Sequence, residues 1–438
     1  SRGLGDVYKR QVEVHGDSAA MATTIGKTGV ISATGNLGVT AVSGNISVQG
    51  ASVSAGGNAT LKAGQAITFD TIVDKASSTT AGSSSSGFLE SASNTTTTAT
   101  TRNIGSTVTV GGTLGLSSGK DTTIAGSTVS AGALAVDAGG DFNVLARQDT
   151  STTHSVSTAS GVGVGGGVYG LETKTTDSFK STSAGSAIDV TGNATITSAG
   201  TTTLQGSALN VGGDANITSK QGIQVVDAVN IDRTKTVTET TTFLKLTDSS
   251  DTKTETEAKA GAAQQKAKAS ASAGAEASNE SSLRLMEAST TTETKSETTS
   301  AGSSLNVGGN LTAKTDGTLT IQGSKVSAGG DVVLEAKSID VLAGRNEKVE
   351  TSDTTRTSIG FYSESNASAE AEAQASAKAR GLAANAGASA EASAGASSTL
   401  TVGTKHEQES SSERTVTNTS STIPVSYTHL TLPTKRIV

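Results

Sequence analysis

The sequence contains no cysteine, and that absence excludes a disulfide framework and thiolate metal sites. It also suits a chain exported unfolded, since an early disulfide obstructs threading. Tryptophan is absent too, only 2% of residues are aromatic and 33% hydrophobic, and proline occurs twice in 438 residues. So few large side chains cannot fill several compact globular cores at native density, because Ala, Val and Thr each bring little volume. No run of 18 or more apolar residues occurs, so no segment reads as a membrane-spanning helix. Basic stripes are missing as well. The 33 basic and 40 acidic residues are mixed along the chain, which leaves nothing to neutralise a phosphate backbone and argues against nucleic acid as a partner.

What remains is Gly, at 51 residues, with Ser, Thr and Ala. Two classes fit: a disordered polar chain, or a repetitive β architecture with a thin core of small β-branched residues. The order of the residues decides for the second. Segments 42–64, 118–140, 198–220 and 315–337 share an aliphatic residue, any residue, Gly, two residues, an aliphatic residue and a Gly turn. Val48/Gly50/Val53/Gly56, Ile124/Gly126/Val129/Gly132, Leu204/Gly206/Leu209/Gly212 and Ile321/Gly323/Val326/Gly329 carry it. Successive turns at Gly35 and Gly57, Gly112 and Gly132, Gly192 and Gly213, and Gly309 and Gly330 lie 22, 20, 21 and 21 residues apart. In the fourth block Leu319/Ile321, Val326/Ala328 and Val332/Leu334/Ala336 alternate with polar residues at period two. A repeat of this length cannot bury its own apolar face and must stack on its neighbours.

The expectation is an all-β fold: a right-handed parallel β-helix of about 20–22 residues per coil. Its coils are expected at 20–74, 105–150, 183–232 and 300–345, about ten in all, stacked at about 4.8 Å into a rod near 50 Å long. Between them lie excursions near 75–108, 149–182, 233–300 and 345–400, rich in Ser and Thr or in Ala and Glu. Alanine at every second position from Ala367 to Ala379 argues for hairpins or flexible excursions, although Ala and Glu also favour helix. Residues 1–11 and 424–438 hold both prolines and two of the four tyrosines and lack the repeat. They read as translated sequencing adapter, with frayed termini as the alternative, so the shaft is expected at 12–423.

No catalytic, cofactor-binding or metal residue is expected. His15, His154, His406 and His429 stand apart from one another without metal spacing. Gly161, Gly163 and Gly166 satisfy a dinucleotide fingerprint but no helix signal follows. The Gly-Gly-Asp triplets at 139–141, 212–214 and 329–331 lack the tandem nonapeptide of calcium rolls, and read as turns with an exposed Asp. Sequons at Asn45, Asn58, Asn193, Asn216 and Asn310 fall beside turns, where Asn is favoured for its tolerance of left-handed backbone. A β-helical polysaccharide lyase or hydrolase would need clustered Asp, Glu, Lys or Arg on one solenoid side, where the repeats mainly offer Thr, Ser, Asn and Gln.

The alternation of VGGTLGLSSGKDTTIAGSTVSAGALAVDAGGDFNVLARQDTSTT (110–153) with a Ser/Thr arm and a Gly-Val-Gly centre resembles the haemagglutinin repeats of filamentous-haemagglutinin-like exoproteins. The likeness covers roughly residues 20–420. It implies a right-handed parallel β-helix, export through a two-partner secretion transporter of the outer membrane, and display as a secreted or cell-surface protein. It further implies adhesion to a receptor or glycan on host or neighbouring cells, or service as the shaft of a contact-dependent growth inhibition protein carrying a toxin. No enzymatic activity and no cofactor are implied.

Overall fold

The computed structural model describes residues 8–431 apart from 16–17, 26–27, 87–88, 264–265, 381–382 and 424–427. Among them the chain winds into a parallel β-helix of eight complete coils, at 30–49, 52–70, 107–125, 128–145, 187–205, 208–226, 304–322 and 325–342. Six of the coils have three short strands, the first two running together in Thr107–Ser118 and Thr128–Ala138 of the other two, and equivalent strands stack in parallel register, for instance Val30 on Ser52, Thr107 on Thr128, Ala187 on Ala208 and Ser304 on Lys325. A ninth coil begins where Thr422 bridges to Lys325 and Thr428–Thr431 pairs with Val332–Glu335. Eight coils at about 4.8 Å make a stack of roughly 40 Å, shorter than ten would give. The expected first block starts too early, because Ser18–Ile25 belongs to a hairpin and the first coil strand is Val30–Ala33. Of the suspected adapter segments, 1–7, 424–427 and 432–438 lie outside the described residues.

The period-two alternation puts one residue in two inside, and the stacking turns those residues into ladders. On one side Val53, Val108, Val129, Ile188, Leu209, Leu305 and Val326 lie one above another, all buried. On another side Phe69, Ile124, Val144, Leu204, Val225 and Ile321 do the same. Each such side chain contributes about 1.5–3 kcal/mol on burial, and it does so only if the neighbouring coil is in place.

The corners are held by side chains acting as extra backbone. At one corner Asn58 Oδ1 accepts from Thr113 N (2.8 Å), Asn193 Oδ1 from Asp214 N (2.9 Å), Asp214 Oδ1 from Asn310 N (2.7 Å) and Asn310 Oδ1 from Asp331 N (2.8 Å). The Gly-Gly-Asp segments are turns with an exposed Asp, and Asp214 adds a stitch through its carboxylate. Leu244 is the one described non-glycine residue with left-handed backbone, so Asn58, Asn193 and Asn310 serve to stitch coil to coil and not for tolerance of that conformation. At the third corner a buried serine ladder runs the length of the stack. Ser127, Ser186, Ser207, Ser303 and Ser324 each accept, through Oγ, the backbone N–H of the serine one coil earlier, at 3.0–3.3 Å.

The excursions leave from that serine corner, and all are antiparallel hairpins. The first arm is Tyr8–His15 with Ser18–Ile25, the second Ile72–Ser86 with Glu90–Ile104, the third Arg147–Gly161 with Tyr169–Ala184. The fourth is Ala228–Ala263 with Lys266–Ala301 and the fifth Gly344–Arg380 with Ala383–Thr419. Alternating Ala thus overrides helix propensity, because every arm strand pairs along its length with its hairpin partner, and all but the two edge strands, Tyr8–His15 and Ala383–Thr419, also pair with a neighbouring arm. The ten arm strands form one continuous antiparallel sheet. The stacking explains it: an arm leaves after every second coil, and a hairpin has two strands, so each arm strand stands level with one coil and keeps the same spacing of about 4.8 Å. Consecutive arms must then meet, as Ser91–Thr101 does with Thr150–Ser160.

Candidate functional site

The arm sheet gathers the polar chemistry of the molecule. Its arms lengthen along the chain, and the fourth and fifth, at 36 and 37 residues per strand, reach about 120 Å when extended. At their bases Arg147 pairs with Asp70 through two hydrogen bonds, one of 2.7 Å from Nε, tying the third arm to the second coil. The hydrogen bond and charge of Asp70 raise the Arg147 pKa against the opposing effect of burial.

The Gly-rich segment of the third arm is its tip. Gly163, Gly165 and Gly166 adopt left-handed backbone and Val164–Gly166 makes a single 3-10 turn, so no dinucleotide-type helix follows the glycines. The tip folds over one face of the fourth arm, with Val168 N donating to Phe243 O at 3.0 Å. A Cβ on Gly165 would stand 2.5 Å from the Thr240 methyl and 2.6 Å from that of Thr242, which is why the tip is glycine.

On this covered face lies a charge network absent from the sequence reading. Glu287, 3% exposed, is hydrogen-bonded by Arg284 and by Lys245 Nζ (3.0 Å), with Arg356 Nε at 3.7 Å from the same carboxylate. Arg356 and Lys405 in turn hold Glu407 at 3.4 and 3.0 Å. Burial works against the Glu287 charge, yet the hydrogen bonds and charges of Arg284 and Lys245 outweigh it and hold the carboxyl below its ordinary range. Such a carboxylate is a counter-ion with no proton to donate at neutral pH. The partners lie 42 and 69 residues from Glu287 along the chain for Lys245 and Arg356, and only strand pairing brings them together.

The remaining sequence candidates behave as parts of the sheet. His154 Nδ1 meets Asp177 at 2.6 Å across the third arm, a pair that spacing alone did not reveal, and both side chains are more than half exposed. His406 Nδ1 bonds Thr357 at 3.0 Å. The side chains of His15 and His429 lie outside the described residues. No group of three or more His, Asp or Glu is placed to hold a metal among the described residues. A shallow, open depression on the sheet is floored by Ser84, Ala92, Ser157 and Ala159 and flanked by Glu172 and Lys174. No described helix is long and apolar enough to cross a membrane.

Comparison with known families agrees with this geometry. The family described as Hemagglutinin repeat matches residues 18–161 and 285–436. The chain belongs to the hemagglutinin repeat family. It is, at family level, a filamentous-haemagglutinin-like adhesin shaft, and the family is structural rather than enzymatic. The stretch between the two matched regions includes the coils 187–205 and 208–226, which stack in the same parallel register as the rest. No curated protein matches the chain.

Proposed function

We propose that this hemagglutinin-repeat chain is the shaft of a bacterial exoprotein, exported by a two-partner secretion transporter and displayed at the cell surface, whose arm sheet makes adhesive contacts with a receptor or glycan on another cell. The observation that carries the reading is the continuous ten-stranded arm sheet, a broad hydroxyl-rich surface held rigid by one strand per coil. Ser and Thr hydroxyls with the Glu172 and Lys174 pair offer many weak hydrogen bonds to sugar hydroxyls, and weak contacts on one rigid body add by multivalency.

The test is deletion of the fourth and fifth arms in the surface-displayed full-length parent. Removing Asp227–Ala301 joins Val226 to Gly302-Ser303, which reproduces the armless corner Gln205-Gly206-Ser207 and so leaves the coils closed. Adhesion to host or neighbouring bacterial cells is expected to fall at least tenfold. Adhesion that persists unchanged places the binding surface on the coils or outside these arms.

A further inference from the structure

Beside the irregularity at Leu244 and Leu285, the fourth and fifth arms gather large apolar residues on one face, which adhesion through hydroxyl groups does not require. Strand pairing sets cross-strand rows. One row is Phe243, Met286 and Ile359, and the next on the same face is Leu246, Leu283, Phe361 and Val402. On the opposite face at the same level lie Lys245, Arg284 and Glu287. The tip of the third arm covers the charged face and leaves the apolar one bare.

The seven apolar residues of the first two rows are 40–77% exposed. At about 150–200 Å² per large side chain, those exposures correspond to roughly 550–700 Å². That reaches or exceeds the largest apolar patch of an ordinary monomer, at about 300–600 Å². It also approaches the ~800 Å² that each partner of a standard interface buries. The flanking rows are mixed: Thr241, Ala288, Thr357 and His406 toward the base, Asp248, Ser281, Ser363 and Leu400 outward. An apolar centre inside a largely polar rim is the anatomy of a protein interface.

We propose that this face is a self-association surface and that its occupant is the same face of a second copy of this chain, the two arm sheets packing about 10 Å apart around a twofold axis. Identical faces match because a twofold axis lays the apolar rows of one copy, Phe243 to Ile359 and Leu246 to Val402, against the same rows of the other.

Sedimentation velocity on the purified chain from about 1 to 100 μM tests it, with Leu246→Lys and Phe361→Lys as the disrupting variants and Thr399→Lys, on the opposite face of the same sheet, as the control. The wild type and Thr399→Lys are expected to dimerise, and each disrupting variant to weaken the dimer at least thirtyfold with an unchanged β-sheet spectrum. Because the chain has no cysteine, Leu283→Cys adds an independent readout, a disulfide-linked dimer under mild oxidation. A monomer at 100 μM overturns the proposal, as does a dimer indifferent to Leu246→Lys and Phe361→Lys. A monomer that instead floats with neutral phosphatidylcholine vesicles, and stops doing so in those variants, assigns the face to lipid and overturns it equally.

Discussion

Replacing Gly323 by alanine tests how the arms are fitted into the corner. Gly323 has φ +55°, and a Cβ there would stand 2.8 Å from Gly344 Cα, 2.8 Å from Ser300 Oγ and 3.0 Å from Asp227 Cγ, between the return of the fourth arm and the exit of the fifth. The left-handed conformation costs an alanine about 1–2 kcal/mol. Overpacking against backbone that cannot swing aside adds about 1–3 kcal/mol. Gly163, at the tip of the third arm, has φ +81° with nothing within 4 Å of its Cβ position, so Gly163→Ala meets the first cost alone. Urea titration followed by circular dichroism should therefore show a loss of about 2–5 kcal/mol for Gly323→Ala and about 1–2 kcal/mol for Gly163→Ala. Because a solenoid opens locally, hydrogen exchange should show faster exchange concentrated in the first part of the Gly344–Arg380 strand for Gly323→Ala. Equal costs for the two, or unchanged exchange at the start of the fifth arm, would refute the reasoning.

Three more outcomes follow from the same contacts. Ile321→Asp or Val326→Asp, each in a buried ladder, should cost several kcal/mol in urea titration while Lys325→Asp, pointing outward, should cost under about 0.5 kcal/mol; equal effects mean the faces are misassigned. Ser303→Ala removes the Oγ whose single hydrogen is shared between Leu204 O (3.0 Å) and Val226 O (2.6 Å) and which accepts from Ser207 N, so a loss of about 1–3 kcal/mol is expected by the same titration. Glu287 has its folded pKa depressed, so its stabilisation is complete above the ordinary value of 4.5 and is lost as pH falls through the lower folded value; arm-strand hydrogen exchange around Glu287, corrected for intrinsic rate, should rise below pH 4.5 and should not do so in Glu287→Gln.

The coil was legible because its cause is local. Period-two aliphatics, Gly at the turns and a 21-residue recurrence are all set within one repeat, and Val53 to Val326 stack as that recurrence dictates. The Gly before the second aliphatic was found as a motif but not understood: Gly50, Gly126, Gly206 and Gly323 have left-handed backbone and leave room for the arm that begins beside them. The arms read as hairpins from alternating Ala. Their union into one sheet did not, since it follows from the match between two strands per hairpin and two coils per block, which no single segment displays. The charge network around Glu287 and the His154 and Asp177 pair were hidden for the same reason. Their partners lie across strands, and Leu244 with Leu285 shifts the alternation by one residue between Phe243 and Leu246, so that a period count along the strand puts them on the wrong faces.

The central claim is that each arm strand stands level with one coil, and the absence of cysteine makes disulfide trapping its most direct measurement. Thr195 and Asn216 face outward on adjacent coils, and Thr98 and Thr153 sit opposite each other on consecutive arms with their hydroxyls 3.5 Å apart. Thr195 and Thr312 are two coils apart, roughly 10 Å, beyond disulfide reach. Double-cysteine variants of the first two pairs should close intramolecular disulfides on mild oxidation at high dilution while Thr195→Cys with Thr312→Cys stays reduced; closure of all three, or of the coil pair without the arm pair, would contradict the account.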